Sequence, residues 1–228
     1  MGSERYEFNL EQGWAKGLSF AFENQKESAN LNLEEFFRLK QVHGNDLYDL
    51  YGQEKRGSPI ADADAFRVSG KEAIFGKGIL IRTADCCPLV YVDRESEEVV
   101  LMHAGWRGLK KGIHRLPFEK GICRPEKTWI WLGPCLTGEC FEVQSDMKSG
   151  FSREDDSNVF TPHPSNPEKW HFHTWTFLEK EFESLDVEMF YNLEVNTYLD
   201  ENFASYRRSC HREEKLPQQN YSWLMFKK

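Results

Sequence analysis

Cysteine and histidine side chains are the groups in this chain whose types and spacing suggest chemistry. His43 sits in Gln41-Val42-His43-Gly44, Cys86 in Thr83-Ala84-Asp85-Cys86-Cys87-Pro88, and His103 in His103-Ala104-Gly105-Trp106-Arg107-Gly108. Imidazole and thiolate are good ligands for Zn²⁺, and a catalytic zinc site uses three protein ligands with a fourth position open. The intervals between these residues are far wider than in a zinc finger, which suits a site gathered from separate loops. The same Cys and His types would also serve a thiolate nucleophile with its base. Residue types alone do not separate the two. Cu²⁺ competes for such ligands as well.

Charged groups surround the candidates. Arg107 lies between two glycines and offers a planar fork for phosphate; pairing with Asp85 is the structural alternative. Tyr206, Arg207 and Arg208 form an aromatic-basic cluster that could stack on or steer a ligand, with one arginine expected to be structural. Asp62 and Asp64 point the same way if extended, and could bind a metal or hold a histidine.

The elements that must position these groups are strands. Residues 79–81, 89–92 and 99–102 are apolar and β-rich, and a short charged break at 94–98 fits a hairpin connection. Cys86 and His103 then fall at strand ends, on the rim of a sheet. Residues 17–22, 128–132, 187–195 and 221–226 read as further strands, and 140–143 as extended. Asn32 with Glu35 predicts a capped amphipathic helix over 33–39. A second helix is expected over 109–116, ended by Pro117, with an N-terminus that attracts anions. A third is expected over 174–182. The polar, proline-bearing stretch 152–170 reads as a surface loop or lid.

The 228 residues suffice for one large domain with a substantial core. No run of about 18 apolar residues is present to span a membrane, and mean hydropathy is −0.66. The first residues lack the apolar core of a secretory signal, so a cytoplasmic location is expected. Six cysteines without a Cys-x-x-Cys pair then predict free thiols rather than disulfides. The net charge of −8, with no basic block, argues against nucleic acid as a partner. A monomer is expected.

Taken together, the three motifs above, with Ala61-Asp62-Ala63, Gly133-Pro134-Cys135 and Ser205-Tyr206-Arg207-Arg208, occur in an order that resembles one family. This is the laccase-domain or multicopper polyphenol oxidase family, also described as purine nucleoside phosphorylases and as a peptidoglycan editing factor. The resemblance spans roughly residues 17–226. It implies an α+β fold: a single domain over 1–228, built as a four-layer α/β/β/α sandwich with mixed sheets. It implies His43, Cys86 and His103 as zinc ligands, with Cu²⁺ as the alternative. The implied activities are phosphorolysis of adenosine, inosine and methylthioadenosine, and hydrolytic deamination of adenosine. On that reading the partners are a purine nucleoside and phosphate. Cys86, His103, Asp85 and Arg107 are the catalytic candidates, and Arg107, Arg207 and Tyr206 bind substrate or phosphate. Asp85 is expected as a proton carrier or as the partner of a histidine.

The chain departs from the family pattern in its C-terminal third. It has Gln218-Gln219-Asn220 where a Gly-Arg pair is usual, Asn196-Thr197 where Cys-Thr is common, and Leu136-Thr137-Gly138 after Gly133-Pro134-Cys135. Rival readings are a copper-dependent phenol oxidase, a metal-free Cys/His hydrolase acting on a peptidoglycan precursor, and a zinc-stabilised binding protein. A blue multicopper oxidase needs many histidines, several in His-x-His pairs. This chain has seven histidines and one such pair, His171-Phe172-His173.

Overall fold

A computed structural model describes residues 5–151, 158–215 and 218–227. Its chain shuttles between two six-stranded sheets. Strands β1 (Arg5–Asn9) and β2 (Leu18–Glu23) pair antiparallel in the first sheet. A single helical turn, α1 (Gln25–Ser28), follows, with the Asn24 side chain accepting from the N–H groups of Lys26 and Glu27. Strand β3 (Phe36–Lys40) belongs to the first sheet, β4 (Leu47–Leu50) to the second, β5 (Pro59–Asp62) to the first and β6 (Ala65–Ser69) to the second. Strand β7 (Gly78–Thr83) returns to the first sheet. Strands β8 (Cys87–Asp93) and β9 (Glu98–Ala104) form an antiparallel hairpin in the second.

Short helices α2 (Trp106–Lys110) and α3 (Leu116–Glu119) lead to β10 (Thr128–Leu132). Next come β11 (Glu142–Gln144), α4 (Ser145–Lys148), β12 (Phe160–Pro162) and β13 (Lys169–Phe172); the three strands make a small antiparallel sheet in the order β11-β13-β12. Helix α5 (Thr174–Glu183), β14 (Met189–Asn192), α6 (Tyr206–His211) and β15 (Asn220–Phe226) complete the chain. The strand orders are β1-β2-β15-β7-β3-β5 and β14-β10-β8-β9-β6-β4, each mixing parallel and antiparallel pairs.

Both sheets are covered on both faces, so their central strands are continuous apolar runs rather than alternations. Along β8, Val90 and Val92 face the other sheet and pack with Phe20, Phe37, Phe66, Ile79, Ile81 and Leu101. Leu89 and Tyr91 face outward onto Leu109, Ile113, Leu178 and Phe182 of the helical layer. Outside the first sheet, Ala21, Phe36, Leu80 and Trp223 form a smaller cluster under Leu31 and Leu33. This is the four-layer sandwich with mixed sheets expected above. All six cysteines are free. Among the described residues, no helix is long and apolar enough to cross a membrane.

Three expectations are corrected. The helix over 33–39 is a single 3₁₀ turn, Leu33–Glu35, on the Asn32 cap, after which the chain enters β3. Phe37 and Leu39 alternate into the inter-sheet core while Phe36 faces outward, and parallel pairing with β7 outweighs the local helix signal. The helix over 109–116 breaks at Gly112, whose φ of 79° is left-handed. Pro117 sits in the first turn of α3 rather than ending a helix, because the first turn does not need the missing N–H. The loop over 152–170 contains β12 and part of β13; residues 152–157 of it lie outside the described residues.

Candidate metal centre

The shuttling has a geometric consequence. The parallel register of β3, β5 and β7 brings their C-terminal ends to one rim, so the β3–β4, β5–β6 and β7–β8 crossings run side by side. His43 lies in the first crossing, Asp64 in the second and Cys86 in the third. His103 arrives at the same rim near the end of β9, because β9 runs antiparallel to both β6 and β8. Four residues distant in sequence therefore meet without any of them sitting in a long loop.

His43, Cys86 and His103 present one nitrogen or sulfur each, all within 4.8 Å of one another. The rings of His43 and His103 stand edge to face at 4.9 Å. His103 is buried, Cys86 half-buried and His43 exposed, so the cluster opens to one side. Behind it, His103 Nδ1 lies 2.8 Å from Asp64 Oδ1. Asp64 is fully buried and accepts the backbone N–H groups of Val42, His43 and Gly44 at 3.3, 3.0 and 2.7 Å. Burial opposes its ionisation, but His103 and these N–H groups overcome that and hold the carboxyl below its ordinary range. An ionised carboxylate only accepts, so His103 Nδ1 carries a proton, which leaves Nε2 as the nitrogen for a ligand.

Burial would raise the Cys86 thiol, yet His103 and then His43 bring it down to about 6. The His103 imidazole moves the other way. Burial lowers it, and the Cys86 thiolate with Asp64 raises it to about 9. Without a metal the pair is thus a thiolate beside an imidazolium, and a divalent cation would replace the proton on the imidazole.

Two glycines shape the surroundings. A Cβ on Gly105 would stand 3.1 Å from both Cys86 Sγ and His43 Cδ2, so the backbone leaves the donors their space only because the side chain is absent. A Cβ on Gly108 would meet the Gly44 carbonyl at 2.7 Å, which is how closely α2 packs on the His43 turn. His43 has φ 58° and Asp85 φ 96°, both in the left-handed region that side chains avoid. This donor set and its cradle fit a thiophilic divalent ion such as zinc. Among the described residues no second cluster of this kind occurs.

The cluster lies in a cleft of about 570 Å³ walled by Trp106, Arg107, Phe141, Thr174, Tyr206 and Arg207. The structure brings His43, Asp85, Cys86, His103, Arg107, Tyr206 and Arg207 to this cleft, in different roles, while Asp62, Asp64 and Arg208 lie outside its lining. Arg107 is exposed, with its guanidinium 4.4 Å over the Trp106 ring, and among the described residues it makes no ion pair with Asp85. The Arg207 guanidinium donates to the Glu142 carbonyl at 2.9 Å and lies over Phe141. Arg208 is the structural member of the pair; it is buried and donates to the carbonyls of Thr197, Tyr198, Asp200 and Phe203. The histidine partner expected at Asp85 is Asp64 instead. The Asp85 carboxylate accepts from the Thr197 hydroxyl and the Arg207 N–H.

The acidic pair splits: Asp62 is exposed and bridged to Lys40 at 3.0 Å, while Asp64 is buried. Phe141 has no sequence signal that marks it beforehand; Gly105 lies within the His103–Gly108 motif and Thr197 in the Asn196-Thr197 pair, but neither carries a role from sequence alone. The helix N-terminus expected to attract anions belongs to the five-residue α2, too short for a site of that kind.

Residues 20–215 match the family model described as multi-copper polyphenol oxidoreductase laccase. The chain belongs to this family. Family members similar to it include proteins named purine nucleoside phosphorylase YfiH from Shigella flexneri and from Escherichia coli. Each is 32% identical over 173 residues, covering 75% of this chain and 67% of the relative. A purine nucleoside phosphorylase of Rickettsia conorii is 24% identical across 90% of the chain and 84% of its own length. Among solved structures, the fold matches Neisseria meningitidis protein NMB0706 with a TM-score of 0.77 at 18% identity, covering 99% of this chain and all of the other. It also matches a YfiH protein of Bacillus licheniformis with a TM-score of 0.75 at 13% identity, over 92% of each chain.

Proposed function

We propose that this chain is a zinc-dependent purine nucleoside phosphorylase acting on adenosine, inosine and methylthioadenosine, with adenosine deaminase activity. The observation that carries the reading is the open His43–Cys86–His103 donor set at the base of a cleft large enough for a nucleoside. The names of the relatives support the phosphorylase class.

His43, Cys86 and His103 would hold the ion, which when bound supplies a Lewis acid for a phosphate or water oxygen. Asp64 keeps His103 oriented and in the ligating tautomer. Arg207 and Arg107 offer positive charge to phosphate, and Trp106, Phe141 and Tyr206 offer ring faces to the base. In phosphorolysis a phosphate oxygen bonds to ribose C1′ as the bond to the purine breaks, and the electron pair leaves with the base. The arginines then serve to hold the phosphate in line with that bond.

The family's description also carries copper oxidase chemistry. Cu²⁺ in the same three ligands is the copper form of this site, and its signature would be oxygen uptake that tracks copper loading.

The test is metal content of the purified protein together with phosphate-dependent release of free base from adenosine and inosine. About one zinc per chain, with base released only when phosphate is present, is the expected result. Base release that ignores phosphate would overturn the phosphorylase reading, and full activity after metal removal would overturn its zinc dependence. The second outcome would make Cys86 a nucleophile, as in the hydrolase alternative.

A further inference from the structure

We infer that Asp85 is a positioning residue: a latch that sets the anion-binding Arg207 wall against the Cys86 loop. The inference rests on the phosphorylase reading for the identity of the anion. The latch itself stands on the contacts that follow.

Asp85 immediately precedes ligand Cys86 in the β7–β8 crossing. Its carboxylate spans the cleft floor, with Oδ1 accepting from Thr197 Oγ1 at 2.7 Å and Oδ2 accepting from the Arg207 N–H at 2.7 Å. Its own carbonyl accepts the Leu136 N–H at 2.9 Å. One residue thus ties together the Cys86 loop, the loop after β10, the 195–199 segment and the start of α6. The tied segments are themselves rigid. Thr197 is fully buried and its N–H donates to the Cys135 carbonyl at 3.1 Å, while Arg208 gathers four carbonyls between Thr197 and Phe203. Ser205 caps α6 through the Arg208 N–H at 3.1 Å. Beside the backbone bond from Leu136, the side-chain link between this block and the Cys86 loop is the Asp85 carboxylate.

The backbone cost points the same way. Asp85 holds φ 96°, a value a glycine would adopt without strain. An aspartate persists there because its side chain has work to do. That work is not proton exchange with the histidines, since Asp64 partners His103 and both Asp85 oxygens are engaged elsewhere.

Asp85→Asn and Asp85→Gly test the latch. Asparagine can keep both contacts, its oxygen accepting the Arg207 N–H and its N–H₂ donating to the Thr197 hydroxyl, so it removes only the charge; glycine relieves the backbone and removes the carboxylate. Amide hydrogen exchange at Arg207 reads the latch directly, without reference to catalysis. Asp85→Gly should lose protection at Arg207 while Asp85→Asn keeps most of it, and bound metal stays at the wild-type ratio in both. In Asp85→Gly, KM for inorganic phosphate should rise about tenfold to a hundredfold with a smaller change in kcat, the size expected for losing a hydrogen bond to a charged group.

Wild-type exchange at Arg207 in Asp85→Gly would overturn the proposal. So would loss of kcat through a changed pH profile with phosphate KM unaltered, which would make Asp85 a proton carrier. If the wild type shows no phosphate dependence, the phosphorylase reading fails, and exchange at Arg207 still decides the latch.

Discussion

His103 Nδ1 and Asp64 Oδ1 lie 2.8 Å apart, and the same carboxylate holds the backbone of the His43 turn. One buried group therefore orients two of the three proposed metal ligands. Asp64→Asn should retain the fold but weaken zinc binding roughly 10- to 100-fold, as expected when the partner of a ligating histidine is lost. Competition titration with a chromophoric chelator measures this, and unchanged affinity would remove Asp64 from the site.

Gly105 and Gly108 separate site from scaffold. Gly105→Ala places a methyl 3.1 Å from Cys86 Sγ and His43 Cδ2, and should lower metal affinity with little change in the unfolding midpoint of the metal-free protein. Gly108→Ala drives a methyl toward the Gly44 carbonyl at 2.7 Å, and should destabilise the fold by about 1–3 kcal/mol, in the range of overpacking. Chemical denaturation and metal titration of both variants distinguish the two effects.

Burial raises the Cys86 thiol, but His103 and His43 beside it bring it down to about 6. After metal removal, alkylation of the Cys86 peptide, followed by mass spectrometry, should rise through pH 6 and level off above it. An ordinary thiol would titrate near about 8.5. His103→Ala should move the rise upward. A wild-type midpoint above pH 8 would show that the histidines do not hold the thiolate.

Asp93 closes the β8–β9 turn. Its carboxylate accepts the N–H groups of Glu95, Ser96 and Arg124, each at 2.9 Å. Burial opposes ionisation, but Arg124 and these N–H groups hold the group down at about 2. A depressed carboxylate stabilises above its unfolded pKa, about 3.9, and that stability is lost as pH falls through 2. Asp93→Asn should cost about 1–3 kcal/mol at neutral pH, with the gap to wild type closing below pH 4. A gap that persists to pH 2 would assign the loss to packing.

The apolar runs and their polar breaks made the central strands readable, because a strand covered on both faces needs only apolar residues in sequence. The same rule misled at 33–39, where Asn32 caps a real but single turn and the strand beyond is selected by its neighbour β7. The acidic pair shows the limit within a site. Asp62 and Asp64 are two residues apart and of one type, yet one is solvated and the other is the buried partner of His103. Nothing local distinguishes them, since the distinction is made by where β5 ends and β6 begins.

The sequence alone determined the family and named the candidate ligands, because motifs of this length are specific in themselves. It also determined which segments carry the core, through hydrophobic pattern. The tertiary structure decided that the three crossings share one rim, that Asp64 rather than Asp85 serves the histidine, and that Arg208 is structural while Arg207 faces the cleft. Arg208 is held by carbonyls 5 to 11 residues before it, whereas the shared rim and the choice of Asp64 depend on contacts between residues tens of positions apart and on left-handed backbone at His43 and Asp85. Such contacts are set by the pairing of strands across the whole sandwich, which no local stretch of the chain encodes.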